Sequence, residues 1–375
     1  MGIGLYFSMF AWVIGLGFIA DRKITFGKHC IDGKKAFMVL AFLMLGFFMC
    51  FRSTAVGTDT YNYAVNVYGD VAKQSFNDLF EHKEFMKGPL YWLFLWFVGQ
   101  ISSDPQMYVF VTSLMITLGM ARFIYKLSPS VAVSVFLFMS LNIYCGTFNT
   151  TKQYMSIMLA LNAFCFLYES SKSWKGWLLL TASIFVHFST AFFLIPTLFM
   201  IISKRANVKT MLLLSAVSTV AILVGTDAVF HYFIEYVDAY SFYDKANNPW
   251  ALDAVRDYGV GIWFKGAGFM IVWFIYTIGL CINPRAFRGS LAYAIFPTVL
   301  MYVGLMIILR EYTVFSRVLM PMQALQIIFI PAVMQLCPKF TREIFYFIMY
   351  IGLIAYSSWG MSIGGEGVFP YTFGF

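Results

Sequence analysis

The 375 residues are 60% hydrophobic, 20% aromatic and only 12% charged, with a formal net charge of +8 and a mean hydropathy of +0.75. A soluble domain carries about 25% charged residues, so the composition excludes a soluble enzyme and predicts an all-α polytopic membrane protein. The basic residues fall in short loops between apolar segments, which excludes nucleic acid as a partner.

A spanning helix needs about 20 mainly apolar residues. The first such segment, 2–20, has no basic n-region and no small-residue cleavage site ahead of Asp21, so it reads as a retained helix rather than a signal peptide. Further spans are expected at 36–51, 106–125, 130–147, 154–169, 209–225, 262–282, 290–309, 318–336 and 343–359. Pro89–Ile101 is too short to cross and reads as re-entrant or interfacial, whereas Gly176–Ser203 is too long for one untilted span and carries His187 near its middle. The expectation is one integral membrane domain over 1–375, with about 10–12 transmembrane helices and larger outer loops at 52–88 and 226–261.

Lys and Arg density orients the chain. Arg22, Lys23, Lys28, Lys34, Lys35, Lys204, Arg205, Lys209, Arg285, Arg288, Lys339 and Arg342 mark inner loops, which puts both termini and both acid-rich loops outside. The middle has two solutions. If 89–101 and 176–203 both cross, Asn149–Gln153 lies inside. If both are re-entrant, Asn149–Gln153 joins Arg52 and Asp59 outside, and Arg122, Lys126, Lys172 and Lys175 lie inside. The second solution follows the positive-inside trend better, at the cost of irregular backbone at membrane depth.

Charges beside spans are the candidates for chemistry. Arg52 and Asp59 lie in the polar stretch that leaves the segment ending at Phe51. Arg52 reads either as a snorkelling helix end or as a bidentate phosphate clamp; Asp59 reads either as a turn residue beside Gly57 or as a base toward a hydroxyl. Lys152 and Gln153, in Asn-Thr-Thr-Lys-Gln, open a helix; this is either an ordinary cap or a cation at an anion-binding helix N-terminus. His187 sits in an apolar run, where an ionisable group is a functional hypothesis by default. Arg310, Glu311 and Arg317 flank a late span, and Val368–Tyr371 form an aromatic tail. The six cysteines are scattered without disulfide or metal-ligand spacing. The acids near Asp59 follow no ligand spacing either, so no cofactor is expected and a divalent metal finds no support.

Taken in order, Arg-x4-Gly-Thr-Asp-x3-Tyr (Arg52 to Tyr63), Asn-x2-Lys-Gln, His-x-Ser, a late Arg heading a span and a terminal Pro-Tyr resemble the EpsG family of exopolysaccharide polymerases. That family is similar to Wzy-type O-antigen polymerases and to GT-C membrane glycosyltransferases. The resemblance implies Asp59 and His187 as catalytic residues, with Arg52, Tyr63, Lys152, Gln153, Arg317 and Tyr371 on the diphosphate or sugar. One departure is Lys152, where the family usually has Arg, so charge is kept and the bidentate fork is lost. The implied reaction joins oligosaccharide repeat units carried on undecaprenyl diphosphate at the outer face of the bacterial cytoplasmic membrane. Implied partners are that lipid-linked oligosaccharide, the bilayer, a chain-length regulator and a flippase. The rival readings are a lipid-linked oligosaccharide flippase or transporter, against which stands the lack of an internal repeat, and a membrane glycan ligase or acyltransferase.

Overall fold

The structure, a computed structural model, describes residues 3–26, 29–82, 84–218, 220, 276, 284–308, 313–362 and 367–375. Helices form nearly all of it. They are α1 (Gly4–Ala20), α2 (Gly33–Cys50), α3 (Tyr68–Val71), α4 (Asp78–Glu81), α5 (Pro89–Gly99), α6 (Pro105–Leu127), α7 (Val131–Ser140), α8 (Ile143–Gly146), α9 (Thr151–Glu169), α10 (Trp174–Val186) and α11 (Leu194–Ser203). Further helices cover Val208–Ser218, Pro284–Phe287, Leu291–Ile308, Thr313–Gln335 and Lys339–Ser362. An unforeseen antiparallel hairpin, β1 (Lys23–Phe26) with β2 (His29–Asp32), fills the loop between α1 and α2.

Local chemistry starts the long helices where the sequence offers caps. The Asp32 carboxylate accepts from Lys34 N at 3.1 Å and opens α2. Asp104 does the same for Gln106 N at 2.9 Å, with Pro105 at the first helical position of α6. Three helices, Gly33–Cys50, Pro105–Leu127 and Lys339–Met361, are long and apolar enough to cross a membrane, and the bent pair Val131–Ser140 with Ile143–Asn149 makes a fourth. Shorter apolar helices such as Gly4–Ala20 accompany them. The protein is an all-α polytopic membrane protein.

Several expected boundaries move. The single helix predicted over 130–147 is two, bent by 51° where Asn142 adopts φ 59. An αL residue interrupts a right-handed helix, and Asn tolerates that conformation better than most. Gly176–Ser203 divides at His187, whose extended backbone (φ −150, ψ 114) ends α10 before a 3-10 turn at Phe188–Phe193 and then α11. The helix that carries Arg317 starts earlier, at Thr313, and its apolar part runs over Leu319–Gln335. The loop expected over 52–88 contains a π-helix at Asn62–Val67, α3, α4 and a 3-10 turn at Phe85–Lys87. The expected loop 226–261, the span 262–282 apart from Tyr276, and Arg310 with Glu311 lie outside the described residues.

The chain forms two compact units. Unit 1 is Met1–Phe166, Ser173–Phe188 and Pro338–Phe375, and unit 2 is Leu167–Lys172 and Ser189–Cys337. In unit 1, α2 packs against α1, α6 and α7. The run of α6 against α2 is antiparallel: Lys34 lies over Tyr125, Gly46 faces Thr117, and Gln106 reaches Cys50 O. Phe10 on Phe136 and Phe42 on Phe138 fill the layer between α1, α2 and α7. In unit 2, the Tyr276 ring packs on Phe287, Phe296 and Phe329, and Ser215 Oγ donates to Pro297 O at 2.8 Å.

Candidate functional site

Arg52 lies one residue beyond Phe51, the C-cap of α2, and is 0% exposed. Nη1 donates to Met49 O at 2.5 Å and Ser113 Oγ at 2.7 Å, Nη2 donates to Phe148 O at 3.5 Å, and the guanidinium lies 4.6 Å from the Phe148 ring centre. Among the described residues it has no carboxylate partner, and its Nε has no hydrogen bond. A buried cation held by carbonyls and a hydroxyl joins the end of α2, the middle of α6 and the turn before α9. Its donors Nη1 and Nη2 are engaged by protein groups rather than presented to a solvent-filled space.

The turn after Arg52 is built around Gly57. Its φ is +99, a left-handed conformation that costs glycine nothing, and a Cβ there would stand 2.6 Å from Thr60 Oγ1 and 2.7 Å from Asn149 Oδ1. Thr60 Oγ1 shares its hydrogen between Phe148 O at 2.7 Å and Val56 O at 2.8 Å. Glycine thereby admits the Asn149 side chain against the 52–60 turn. Asp59 is half-buried on this turn, its backbone O accepting from Tyr63 N at 3.1 Å. Among the described residues the Asp59 carboxylate makes no hydrogen bond or ion pair.

Tyr63 rides the π-helix Asn62–Val67, a wide turn that occurs often at functional sites. Beside it the Tyr91 and Tyr108 hydroxyls meet at 3.0 Å, and the Tyr68 ring lies 5.6 Å from that of Tyr108. Tyr68 donates to Ser102 O, and its burial raises the phenol above its ordinary value. These contacts bring Tyr91, at the start of α5, beside Tyr108, at the start of α6. Eleven residues of α5 rise about 16 Å, half the hydrocarbon thickness, so Pro89–Gly99 is too short to cross a bilayer by itself.

Lys152 occupies the first turn of α9. Its ammonium lies 5.1 Å from the Tyr91 ring centre and 6.0 Å from that of Trp92. Gly88 makes this possible: a Cβ would stand 2.9 Å from Lys152 Nζ and would overlap Val186 O. The end of α10, and with it His187, therefore meets the start of α5 and the start of α9. Among the described residues Lys152 makes no ion pair, since the Glu84 carboxylate is held by Lys87 at 2.6 Å. A cation in the first turn opposes the helix dipole, so its position is unfavourable for the helix alone. Gln153 is buried next to it.

The tail returns to the Arg52 turn. Ser53 N donates to Thr372 O at 2.9 Å, Gly374 N to Phe51 O at 3.0 Å, and Gly57 N to Gly367 O at 2.8 Å. The Tyr371 hydroxyl donates to Phe48 O at 2.7 Å with its ring edge-on to Phe48, and Tyr6 OH donates to Val368 O at 2.8 Å. Tyr371 is thus a buried bolt between the tail and α2.

Unit 1 therefore gathers Arg52, Asp59, Tyr63, Lys152, Gln153, His187 and Tyr371. Arg317 belongs to unit 2, and its side chain is outside the described residues. Sequence reasoning missed Thr60, Gly88, Gln106 and Ser113. Gln106 Nε2 supports the turn by donating to Arg52 O at 2.9 Å. A glycine directly before Pro89 and lone hydroxyls inside apolar helices were the available signals.

The fold and this polar end define a polytopic membrane protein with an ionisable site at one helix-end layer. The EpsG family matches residues 35–373; the chain belongs to this family, a Wzy-like polymerase family, and membership suggests an exopolysaccharide polymerase. No curated protein and no solved structure matches the chain.

Proposed function

We propose that this protein is a GT-C-like glycosyltransferase that joins oligosaccharide repeat units carried on undecaprenyl diphosphate, at the outer face of the cytoplasmic membrane. The observation that carries the reading is Lys152, set without an ionic partner among the described residues in the first turn of α9, over Tyr91 at the start of α5. Two helix N-termini and a cation suit an anion, and a departing lipid diphosphate is one. Family membership supplies the class of reaction.

In the proposed step a hydroxyl of the acceptor unit attacks the anomeric carbon of the donor chain. The bond from that carbon to the diphosphate oxygen breaks, and the electron pair leaves with the lipid diphosphate. Asp59 takes the hydroxyl proton. Lys152 stabilises the leaving anion, and Gln153, Tyr63 and His187 orient the sugar or diphosphate. Arg52 acts as a positioning residue that holds the 52–60 turn to Phe148. Arg317 enters the proposal from the family motif alone, as a further cation for the diphosphate. The reaction as written uses no cofactor, and a flippase and a chain-length regulator are the expected partners.

Incubation of the purified chain with a labelled lipid-linked repeat unit tests the proposal. A ladder of oligomers on a gel is the expected product, lost in Asp59→Asn. Transport of the labelled unit without a ladder would instead make the protein a flippase.

A further inference from the structure

A groove of about 770 Å³ runs along the outer face of the α2–α6 pair in unit 1. Its floor is made by Phe42, Gly46 and Thr117, all buried. A Cβ on Gly46 would stand 2.9 Å from Thr117 Cγ2, so glycine lets the two helices touch at the floor while larger side chains form the walls. Leu43 and Leu118, 64% and 60% exposed, form the rims.

The two ends of the groove differ in charge. Lys35, Arg122 and Tyr125 close one end, and Lys34 Nζ lies 5.0 Å from the Tyr125 ring centre beside them. Asp32, an acid beside Lys34, caps α2 by accepting from Lys34 N. Arg122 keeps one Nη1 bond, to Asn162 Oδ1 at 2.6 Å, which leaves further donors of its fork. Phe47, Phe51 and Phe110 close the other end without a charge, and Arg52 nearby is fully enclosed and bonded to protein acceptors. A lipid with its phosphate at the aromatic end would find no partner there.

We propose that this groove is a binding site for an anionic phospholipid, its phosphate at Lys34, Lys35 and Arg122 and one acyl chain along Gly46 and Thr117. Basic pockets between spanning helices hold anionic headgroups in this way, at about fivefold in affinity per cation near the surface. The inference does not depend on the polymerase reading, because it uses neither Asp59 nor Lys152.

Native mass spectrometry of the full chain in detergent, with phosphatidylglycerol and phosphatidylcholine as probes, tests it. Phosphatidylglycerol is expected to stay bound at least fivefold better than phosphatidylcholine. Lys35→Gln is expected to cut phosphatidylglycerol retention about fivefold while leaving phosphatidylcholine and the melting temperature unchanged, since Lys35 is exposed. Leu118→Trp, at an exposed rim position, fills the groove and should reduce retention of both lipids. Equal retention of the two lipids, indifference to both variants, or displacement of phosphatidylglycerol by undecaprenyl phosphate equally in wild type and Lys35→Gln would overturn the assignment.

Discussion

Arg52 Nη1 donates to Ser113 Oγ at 2.7 Å across a sequence separation of 61 residues. The bond fixes the end of α2 to the middle of α6 inside an apolar layer. Ser113→Ala removes one acceptor and leaves Met49 O, for a loss of about 1 kcal/mol. Arg52→Ala removes every bond of the guanidinium and should cost about 3 kcal/mol. Thermal unfolding of the two variants in detergent would show the ordering, and equal melting temperatures would contradict it.

The Lys152 ammonium is expected to act through its charge. Lys152→Arg should retain polymer formation, because a guanidinium keeps both the charge and the stacking on Tyr91. Lys152→Met, similar in length and neutral, should lower the rate at least 100-fold by removing an electrostatic contact to the leaving diphosphate. Polymer yield in a strain lacking the wild-type protein reads both, and a full-length polymer from Lys152→Met would remove Lys152 from the site.

Gly88 offers a test that changes no titratable group. A methyl there overlaps Val186 O and crowds Lys152 Nζ. Gly88→Ala should therefore push α10 from α5 and impair polymerisation with Lys152 and His187 intact. Unaltered activity together with an unaltered melting temperature would mean that these helix ends yield easily.

Tyr371→Phe keeps the ring against Phe48 and Phe373 and removes the hydroxyl from Phe48 O. The loss is about 1 kcal/mol, read as a lower melting temperature and faster proteolysis of residues 367–375. Protection equal to wild type would show that ring packing alone holds the tail.

Asn142 stands at φ 59 where α7 meets α8, and its Oδ1 accepts from Ser357 Oγ at 3.2 Å. Asn142→Val adds a β-branched side chain in a left-handed conformation and should destabilise the protein by about 1–2 kcal/mol. Asn142→Gly relieves the backbone, so its smaller effect isolates the lost hydrogen bond. A helix that straightens in Asn142→Val, read as full stability, would refute the strain.

Much of the helical framework is legible in one dimension. Apolar length located α1, α2, α6 and the last long helix to within a few residues, whereas the caps at Asp32 and Asp104 emerged only with the structure. The bend at Asn142 was not legible, because apolar composition continues through 130–147 and only the backbone conformation breaks the helix. Of the candidate site, the charged residues stood out against an apolar background. Thr60, Gly88, Gln106 and Ser113 did not, since small and neutral polar groups are ordinary in such helices until their partners are known.

The sequence by itself determined the membrane class and the family motifs from Arg52 to Tyr371, because hydropathy and charge are properties of each segment alone. It left open whether Asn149–Gln153 shares a side with Arg52 and Asp59. Tertiary structure decided that: Phe148 O receives Arg52 and Thr60, and Gly57 admits Asn149. It also joined Arg52 to Met49 O, Ser113 Oγ and Phe148 O, and Tyr371 to Phe48 O. The physical reason is that buried donors must find acceptors. Which acceptors they find depends on helices packed across separations of 61, 96 and 323 residues, which no local pattern records.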